Sequence, residues 1–367
     1  MICKKFLISV YTLTLLLVAS HSNAQQPNDI AVIAYYTGDE KEIGNYDIHK
    51  LTHIIFSFCH LKDGRLHVDN AGDTVTIKHL VELKREHPTL KVMLSLGGWG
   101  GCEPCSDAFS TSEGRQLFAR SVKEVNDYFG TDGIDLDWEY PAIEGHPGHP
   151  YEPADRANFT ALVKELRTVL GEKQELSFAA GGFQKFLDQS VEWNEVMPLV
   201  DRVNIMSYDL VNGYATVTGH HTPLYHTNPD EESTNRAVEY LLNLGIPAKK
   251  LVIGAAFYTR IWKNVASANN GRYQTGEHTR GYHFKRYETE LVPENGWEYF
   301  YDEQAEAPYW YNQAANRYAT GDDLRSVRAK TTYAIEKKLG GIMFWELTLD
   351  TYRKGMLDAI DEVKRSH

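Results

Sequence analysis

The chain is expected to fold as an α/β protein: a (β/α)8 TIM barrel with a small α+β insertion between strand 7 and helix 7/strand 8. Three observations carry this expectation. Short apolar runs recur eight times along the chain. Stretches with helical apolar spacing lie between them, the alternation that a parallel sheet with crossover helices requires. One long interval towards the C-terminus breaks the rhythm. A length of 367 residues suits a single barrel domain carrying one insertion.

The strands are expected at Ala31–Tyr36, His53–Phe58, Lys91–Leu96, Gly133–Trp138, Glu175–Ala180, Arg202–Ser207, Leu251–Phe257 and Gly341–Trp345. Helical patterns separate them at Gly114–Phe129, Ala154–Leu170, Ser233–Leu244 and Leu324–Lys338, the second entered through an acidic first turn at Asp155. Thr351–Lys364 would be the final helix. The irregular interval runs from Lys263 to Gly321; it is rich in Tyr, Gly and Asn, carries Trp297 and Trp310, and has no long helical period. It is too long for a βα loop and too aromatic for a disordered linker. The expected organisation is therefore a barrel from residues 25–262 and 322–367, with the insertion at 263–321.

The first 24 residues are expected to be a leader. Lys4 and Lys5 precede the apolar run Phe6 to Ala19, and Ser22-Asn23-Ala24 is a small-x-small cleavage site before Gln25. The run is short for a membrane span, and no Cys follows the site to take a lipid. A secreted or periplasmic protein is the expectation, without membrane insertion and as a monomer.

Formal net charge is −12, and losing the leader removes two lysines and no acid. That argues against nucleic acid and against anionic membrane surfaces. A neutral polysaccharide, bound by stacking and hydrogen bonds, agrees better with 22 Tyr and 7 Trp. Cysteine is sparse. Cys102-Glu103-Pro104-Cys105 could be a loop disulfide or two free thiols, and Cys59 reads as a buried apolar residue. His146, His149, Glu144 and Asp155 cluster around a Pro-rich loop, but proximity in a loop is poor evidence for metal-ligand geometry, so no metal and no cofactor are expected.

The most informative stretch is Asp132-Gly133-Ile134-Asp135-Leu136-Asp137-Trp138-Glu139-Tyr140-Pro141. Side chains alternate along a strand, so Asp135, Asp137 and Glu139 share one face while Ile134, Leu136 and Trp138 share the other. Three carboxyls so close cannot all ionise cheaply, and at least one is pushed up in pKa, keeping a proton at neutral pH. An exposed edge strand with a solvated acidic face is the alternative, and the apolar opposite face argues against it.

This segment matches D-G-x-D-x-D-x-E in full, and by it the chain resembles the family 18 glycoside hydrolases, the chitinase family. The resemblance runs from about Ala31 to the C-terminus. Ser95-Leu96-Gly97-Gly98-Trp99 matches the family's S-x-G-G, with Trp99 offering a stacking face to a sugar. Met206-Ser207-Tyr208-Asp209 matches M-x-Y-D: the Tyr208 hydroxyl can hold a developing charge and Asp209 can bond a sugar hydroxyl. Trp345 matches the Trp on which the reacting sugar lies. Tyr258 and Arg260 match cleft-lining positions, Tyr35 and Phe58 match pocket walls, and Tyr140 would reach the leaving-group side. Thr259 stands where Gly is usual, and Gly100 where many members have Asn. In one subgroup an insertion such as 263–321 forms a wall of a deep cleft.

The resemblance implies substrate-assisted catalysis, an exception to the two-carboxylate scheme of most glycosidases. Glu139 would protonate the glycosidic oxygen, and the substrate's 2-acetamido oxygen would attack the anomeric carbon to give an oxazolinium ion. Asp137 would orient the acetamido N–H, Asp135 would let Asp137 and Glu139 titrate apart, and Tyr208 would bond the acetamido oxygen. Water activated by Glu139 would complete the reaction with retention. The implied partner is chitin or chitooligosaccharides, cut at β-1,4-linked N-acetylglucosamine. An endo-β-N-acetylglucosaminidase acting on N-glycans would use the same strand. A non-catalytic chitin-binding lectin would keep the barrel and lose the acid, which Glu139 counts against.

Overall fold

The computed structural model describes residues 30–367; the expected leader lies outside the described residues. Eight parallel strands form a closed barrel: Ala31–Tyr36, His53–Lys62, Lys91–Gly97, Gly133–Asp137, Glu175–Gly181, Arg202–Met206, Leu251–Ala256 and Gly341–Trp345. Closure is explicit in the register, since strand 1 pairs with strand 8 at Ala31↔Gly341 and with strand 2 at Ile33↔His53. Each strand begins at the residue the sequence pattern indicates. The ends differ by at most one residue except in strand 2, which runs on to Lys62 and turns back into Arg65–His67 as a hairpin.

Helices Ala71–Glu82, Ser112–Phe129, Asp155–Leu170, Thr234–Asn243 and Leu324–Glu336 pack outside the barrel. Their ends follow local chemistry. Thr111 and Ser233 each accept a hydrogen bond from the N–H three residues on, and Gly130, at φ 77°, provides the left-handed stop after Phe129. Asp155 does not act as a simple first-turn acid: it is buried and accepts from Ser106 Oγ at 3.0 and 2.9 Å and from the Glu152 N–H at 2.8 Å. The final helix is Met356–Ser366, five residues later than its expected start at Thr351. The cause is the buried Asp350, whose carboxylate accepts the Met356 and Leu357 N–H groups at 2.9 Å each and so sets the first turn there.

Two apolar layers result. Ile33, Tyr35, Ile55, Met93, Val252 and Met343 fill the barrel interior, while the opposite faces of the strands bury Val32, Ile54, Val92, Ile134, Phe178 and Ile253 against the helices. His53, Glu175 and Arg202, the first residues of strands 2, 5 and 6, close the bottom: Glu175 Oε2 lies 3.1 Å from His53 Nε2 and 2.8 Å from Arg202. Burial opposes the Glu175 charge, yet His53 and Arg202 bring its pKa down to about 2.

Between strands 7 and 8 the chain forms a five-stranded antiparallel sheet of Thr259–Lys263, Glu277–Thr279, Glu298–Asp302, Ala307–Asn312 and Arg317–Gly321. It begins at Thr259, so Arg260 belongs to this sheet and not to a barrel loop. Trp262, Val265, Tyr309, Tyr311 and Tyr318 make a core of their own, on which Val211 and Ala215 of the connection after strand 6 pack. Trp310, Trp297 and Tyr287 join the barrel's outer core instead. Cys102 and Cys105 are paired as a disulfide in the loop after strand 3, and Cys59 is free and buried.

Candidate active site

Parallel neighbours in register point the same way, and here the register puts Ser95, Asp135 and Ser177 side by side on strands 3, 4 and 5. All three face the barrel interior, where Asp135 is fully buried. Its Oδ2 accepts from Tyr35 Oη at 2.9 Å and Ser95 Oγ at 3.2 Å; its Oδ1 accepts from Ser177 Oγ at 2.6 Å and Asn204 Nδ2 at 3.0 Å. Burial raises the Asp135 pKa, and these four donors pull it back. Of the three carboxyls it is therefore the one best held as an anion.

Asp137, two residues on, has the opposite environment. It is 4% exposed and its Oδ1 has no hydrogen-bond partner. Burial, then the charges of Glu139 and Asp135, push its pKa well up. Glu139 follows just beyond the strand end and is half-buried. Burial raises its pKa to about 7, against a hydrogen bond from Tyr140 that lowers it, with the Asp209 charge adding to the rise. The three carboxyls thus sit in three different settings: Asp135 is held by four donors, Asp137 keeps one oxygen without a partner, and Glu139 is an acid poised near neutrality. Asp132 stands apart from this row, at the entry to strand 4, where it accepts from Lys84 Nζ at 2.8 and 2.7 Å and from the Val92 N–H at 2.8 Å.

The strand ends surround the row. Tyr208 is buried, with its pKa raised by burial and then by Asp137, and its hydroxyl lies 3.9 Å from Met343 Sδ. Met206 sits in the same interior cluster. Asp209, at φ 55°, is clamped by Arg260 through Nε–Oδ1 at 2.7 Å and Nη2–Oδ2 at 2.5 Å. Burial would raise its pKa, but His221 and Arg260 hold it well below the usual carboxylate range. The Arg260 guanidinium also lies 5.4 Å above the Tyr258 ring, so Thr259 does not prevent Tyr258 and Arg260 from meeting Asp209.

Trp345, at the end of strand 8, forms the opposite side. Phe58 stacks on it at 5.4 Å and Tyr35 tilts against it at 5.9 Å. Gly98, at φ 78°, is needed beneath Phe58: a Cβ there would come within 2.3 Å of the ring. Trp99 projects into the mouth at 49% exposure, 6.5 Å from Tyr140 and 5.4 Å from His146. His146 and His149 contact each other ring to ring at 4.4 Å, and Asp155 is engaged with Ser106. Among the described residues no group of three or more His, Cys, Asp or Glu could hold a metal ion.

Contacts therefore link the residues singled out on the strand ends into one cluster around the carboxyl row. Sequence reasoning missed Ser177 and Asn204, which hold Asp135, His221, which braces Asp209, and Tyr214, whose ring lies 6.3 Å from Trp99 across the mouth. A signal existed for the first two, since each is a polar residue inside an otherwise apolar strand. None existed for Tyr214, which lies on a long irregular connection.

The profile of the family "Glycosyl hydrolases family 18" matches residues 31–350. The chain is 35% identical over 310 residues to Chitinase A1 of Niallia circulans, covering 76% of this chain and 44% of that protein. It is 30% identical over 333 residues to Chitotriosidase-1 of Mus musculus, covering 84% of this chain and 68% of that one. The chain thus spans under half the length of the first of these relatives. Among solved structures, a family 18 N-acetylglucosaminidase from Paenibacillus barengoltzii superposes with a TM-score of 0.83 at 36% identity, covering 91% of this chain and all of that one. Chitinase ChiA74 from Bacillus thuringiensis superposes with a TM-score of 0.84 at 26% identity, covering 92% of this chain and 70% of that one.

Proposed function

The chain belongs to glycosyl hydrolase family 18, and on that premise we propose that it hydrolyses β-1,4-linked N-acetylglucosamine chains by substrate-assisted catalysis with retention. The observation that carries this reading is Asp137: a buried carboxyl between two others, with one oxygen left without a partner. An acetamido N–H is the donor that suits it, and the positive charge of an oxazolinium ion is what its anion would stabilise.

The remaining groups take roles in keeping with their places. Glu139, with a pKa near 7, gives its proton to the glycosidic oxygen and later takes one from water. Tyr208, kept protonated by its buried setting, donates to the acetamido oxygen as that oxygen attacks. Trp345 and Phe58 form the apolar seat for the reacting ring, and Trp99 and Tyr140 extend the surface towards the leaving group. Met206, Tyr258 and the Asp209–Arg260 pair shape the wall, which the insertion sheet carries upward. Residues 1–24 we read as an export leader; among the described residues no helix is long and apolar enough to cross a membrane.

A thiazoline analogue of N-acetylglucosamine tests the mechanism. It should inhibit as a mimic of the cyclised intermediate, and fully deacetylated oligomers should resist cleavage. Ready cleavage of those oligomers would require a protein nucleophile and overturn the reading. The likeness to an N-acetylglucosaminidase along that protein's whole length favours a second reading, release of single N-acetylglucosamine units from chain ends. The product profile on a chitin hexamer separates the two: dimers and trimers from the first, monomer alone from the second.

A further inference from the structure

Two features of the sequence take no part in the chemistry proposed above: the turn Cys102-Glu103-Pro104-Cys105 and the connection that carries His146, His149 and Asp155. The structure brings both to Trp99. This ring is half exposed at the mouth, with Gly97 and Gly98 before it in the chain and Gly100 and Gly101 after it. Gly97, Gly98 and Gly100 lie at φ 104°, 78° and 85°, a path open to glycine and strained for other residues. The same freedom makes this backbone a poor anchor for a large side chain. The turn makes the hydrogen bonds Gly98 N–H to Asp137 O at 2.9 Å and Gly101 N–H to Gly98 O at 2.8 Å, neither of which involves Trp99 itself.

The restraint comes from beyond the turn. Directly after Gly101, Cys102 is joined to Cys105 by the disulfide, and both residues are buried. Cys105 opens the short helix Cys105–Phe109, whose Phe109 is fully buried against Trp138, ring centroids 5.6 Å apart. One covalent bond thus fastens the glycine turn to the barrel's outer core. Ser106, the next residue, donates to the buried Asp155 at 3.0 and 2.9 Å, and Asp155 also accepts the Glu152 N–H at 2.8 Å. Glu152 belongs to the connection after strand 4. In that connection the His146 N–H donates to the Glu139 carbonyl at 3.4 Å, and the His146 ring stands edge-on to Trp99 at 5.4 Å. The circuit therefore closes: glycine turn, disulfide, Ser106, Asp155, His146 and back to Trp99.

We propose that the Cys102–Cys105 disulfide and the Ser106–Asp155 hydrogen bonds are positioning groups for the leaving-group side of the substrate: they fix Trp99 over the mouth and so set affinity for the sugars beyond the cleaved bond, without taking part in bond cleavage. The affinity part rests on the leaving-group role proposed for Trp99. A disulfide that closes so short a loop constrains little of the unfolded chain, so its effect is local placement more than global stability.

Two measurements on the full chain test this. The first is the fluorine NMR spectrum of protein labelled with 5-fluorotryptophan, in which the Trp99 line is the one lost in Trp99→Phe. Cys102→Ser with Cys105→Ser should broaden or split that line and leave those of Trp262, Trp297 and Trp310 in the insertion unmoved. Ser106→Ala, which keeps the disulfide, should do the same more weakly. A Trp99 line identical to the parent's in both variants overturns the proposal, and so does an equal change in every line, which would mean general loosening. The second is a double-mutant cycle on the N-acetylated chitin hexamer. The cysteine change should raise KM at least threefold with kcat within twofold of the parent, and should add nothing in a Trp99→Ala background. The same loss in both backgrounds overturns the proposal. If Trp99→Ala alone leaves KM unaltered, it is the leaving-group role of Trp99 that fails, and the fluorine spectrum still decides whether the disulfide holds the ring.

Discussion

Asp137 and Glu139 lie two residues apart on one face, yet their neighbours give them different work. The Glu139 pKa of about 7 means that the acid form dominates below neutrality, so kcat/KM should fall as pH rises through about 7. Two variants test the cause. Tyr140→Phe removes a bond that lowers this pKa, so the alkaline limb should move to higher pH; Asp209→Asn removes a charge that raises it, so the limb should move lower. Because Asp137 and Glu139 titrate together, the limb belongs to the pair. Glu139→Gln should lose ~10²–10⁴-fold or more in turnover while still binding oligosaccharide, since it removes a proton donor and almost no volume. Activity within a few-fold of the parent would remove Glu139 from the role of acid. Asp137→Asn should lose about 2.7–4 kcal/mol of transition-state stabilisation, read as kcat on an N-acetylated oligomer.

Between elements, the most consequential contact is a fully buried ion pair. Lys330 on the helix Leu324–Glu336 reaches Asp322 at 2.7 Å and Thr222 Oγ1 at 2.5 Å, and both charged side chains have no exposed surface. Asp322 also accepts the Ala256 N–H at 2.8 Å and Ser326 Oγ at 2.8 Å. One carboxylate thereby ties the end of barrel strand 7, the connection after strand 6, the last insertion strand and the helix behind it. Lys330→Met should reduce unfolding free energy by about 3–5 kcal/mol, because it leaves the Asp322 charge buried and unbalanced. Adding Asp322→Asn should recover part of that loss, because the buried charge disappears while an acceptor oxygen remains. Denaturant titration reads both; a loss within experimental scatter for Lys330→Met would mean that the pair adds nothing to the junction.

At the scale of the whole molecule, the barrel and the insertion sheet share surface but not register. Thr259–Lys263 and Arg317–Gly321 pair antiparallel, with Tyr318 opposite Trp262, so the chain could turn back at Lys263. Excising residues 264–316 and joining Lys263 to Arg317 by Asn-Gly should therefore leave a hairpin standing on a folded barrel. If the sheet is a wall of the cleft, as proposed, affinity for long chitin oligomers should fall at least tenfold, with less change for dimers. Unchanged affinity for long oligomers would show that the sheet is not a wall. Stability should also fall, since Trp297, Trp310 and Tyr287 belong to the barrel's outer core.

The eight strand starts and the carboxylate row were legible in the chain itself, because a buried parallel strand demands a continuous apolar run and strand alternation assigns each carboxyl to a face. The row's chemistry was legible only in part. That three acids on one face must titrate apart follows from their spacing; which of them is surrounded by donors does not. That was decided by Tyr35, Ser95, Ser177 and Asn204, from four other strands, converging on Asp135 and leaving Asp137 with an unpartnered oxygen. The start of the last helix, the Arg260 clamp on Asp209 and the approach of Tyr214 to Trp99 are likewise long-range. Periodicity reports what a segment buries, whereas hydrogen-bond partners and pKa values depend on which segments closure of the barrel brings together.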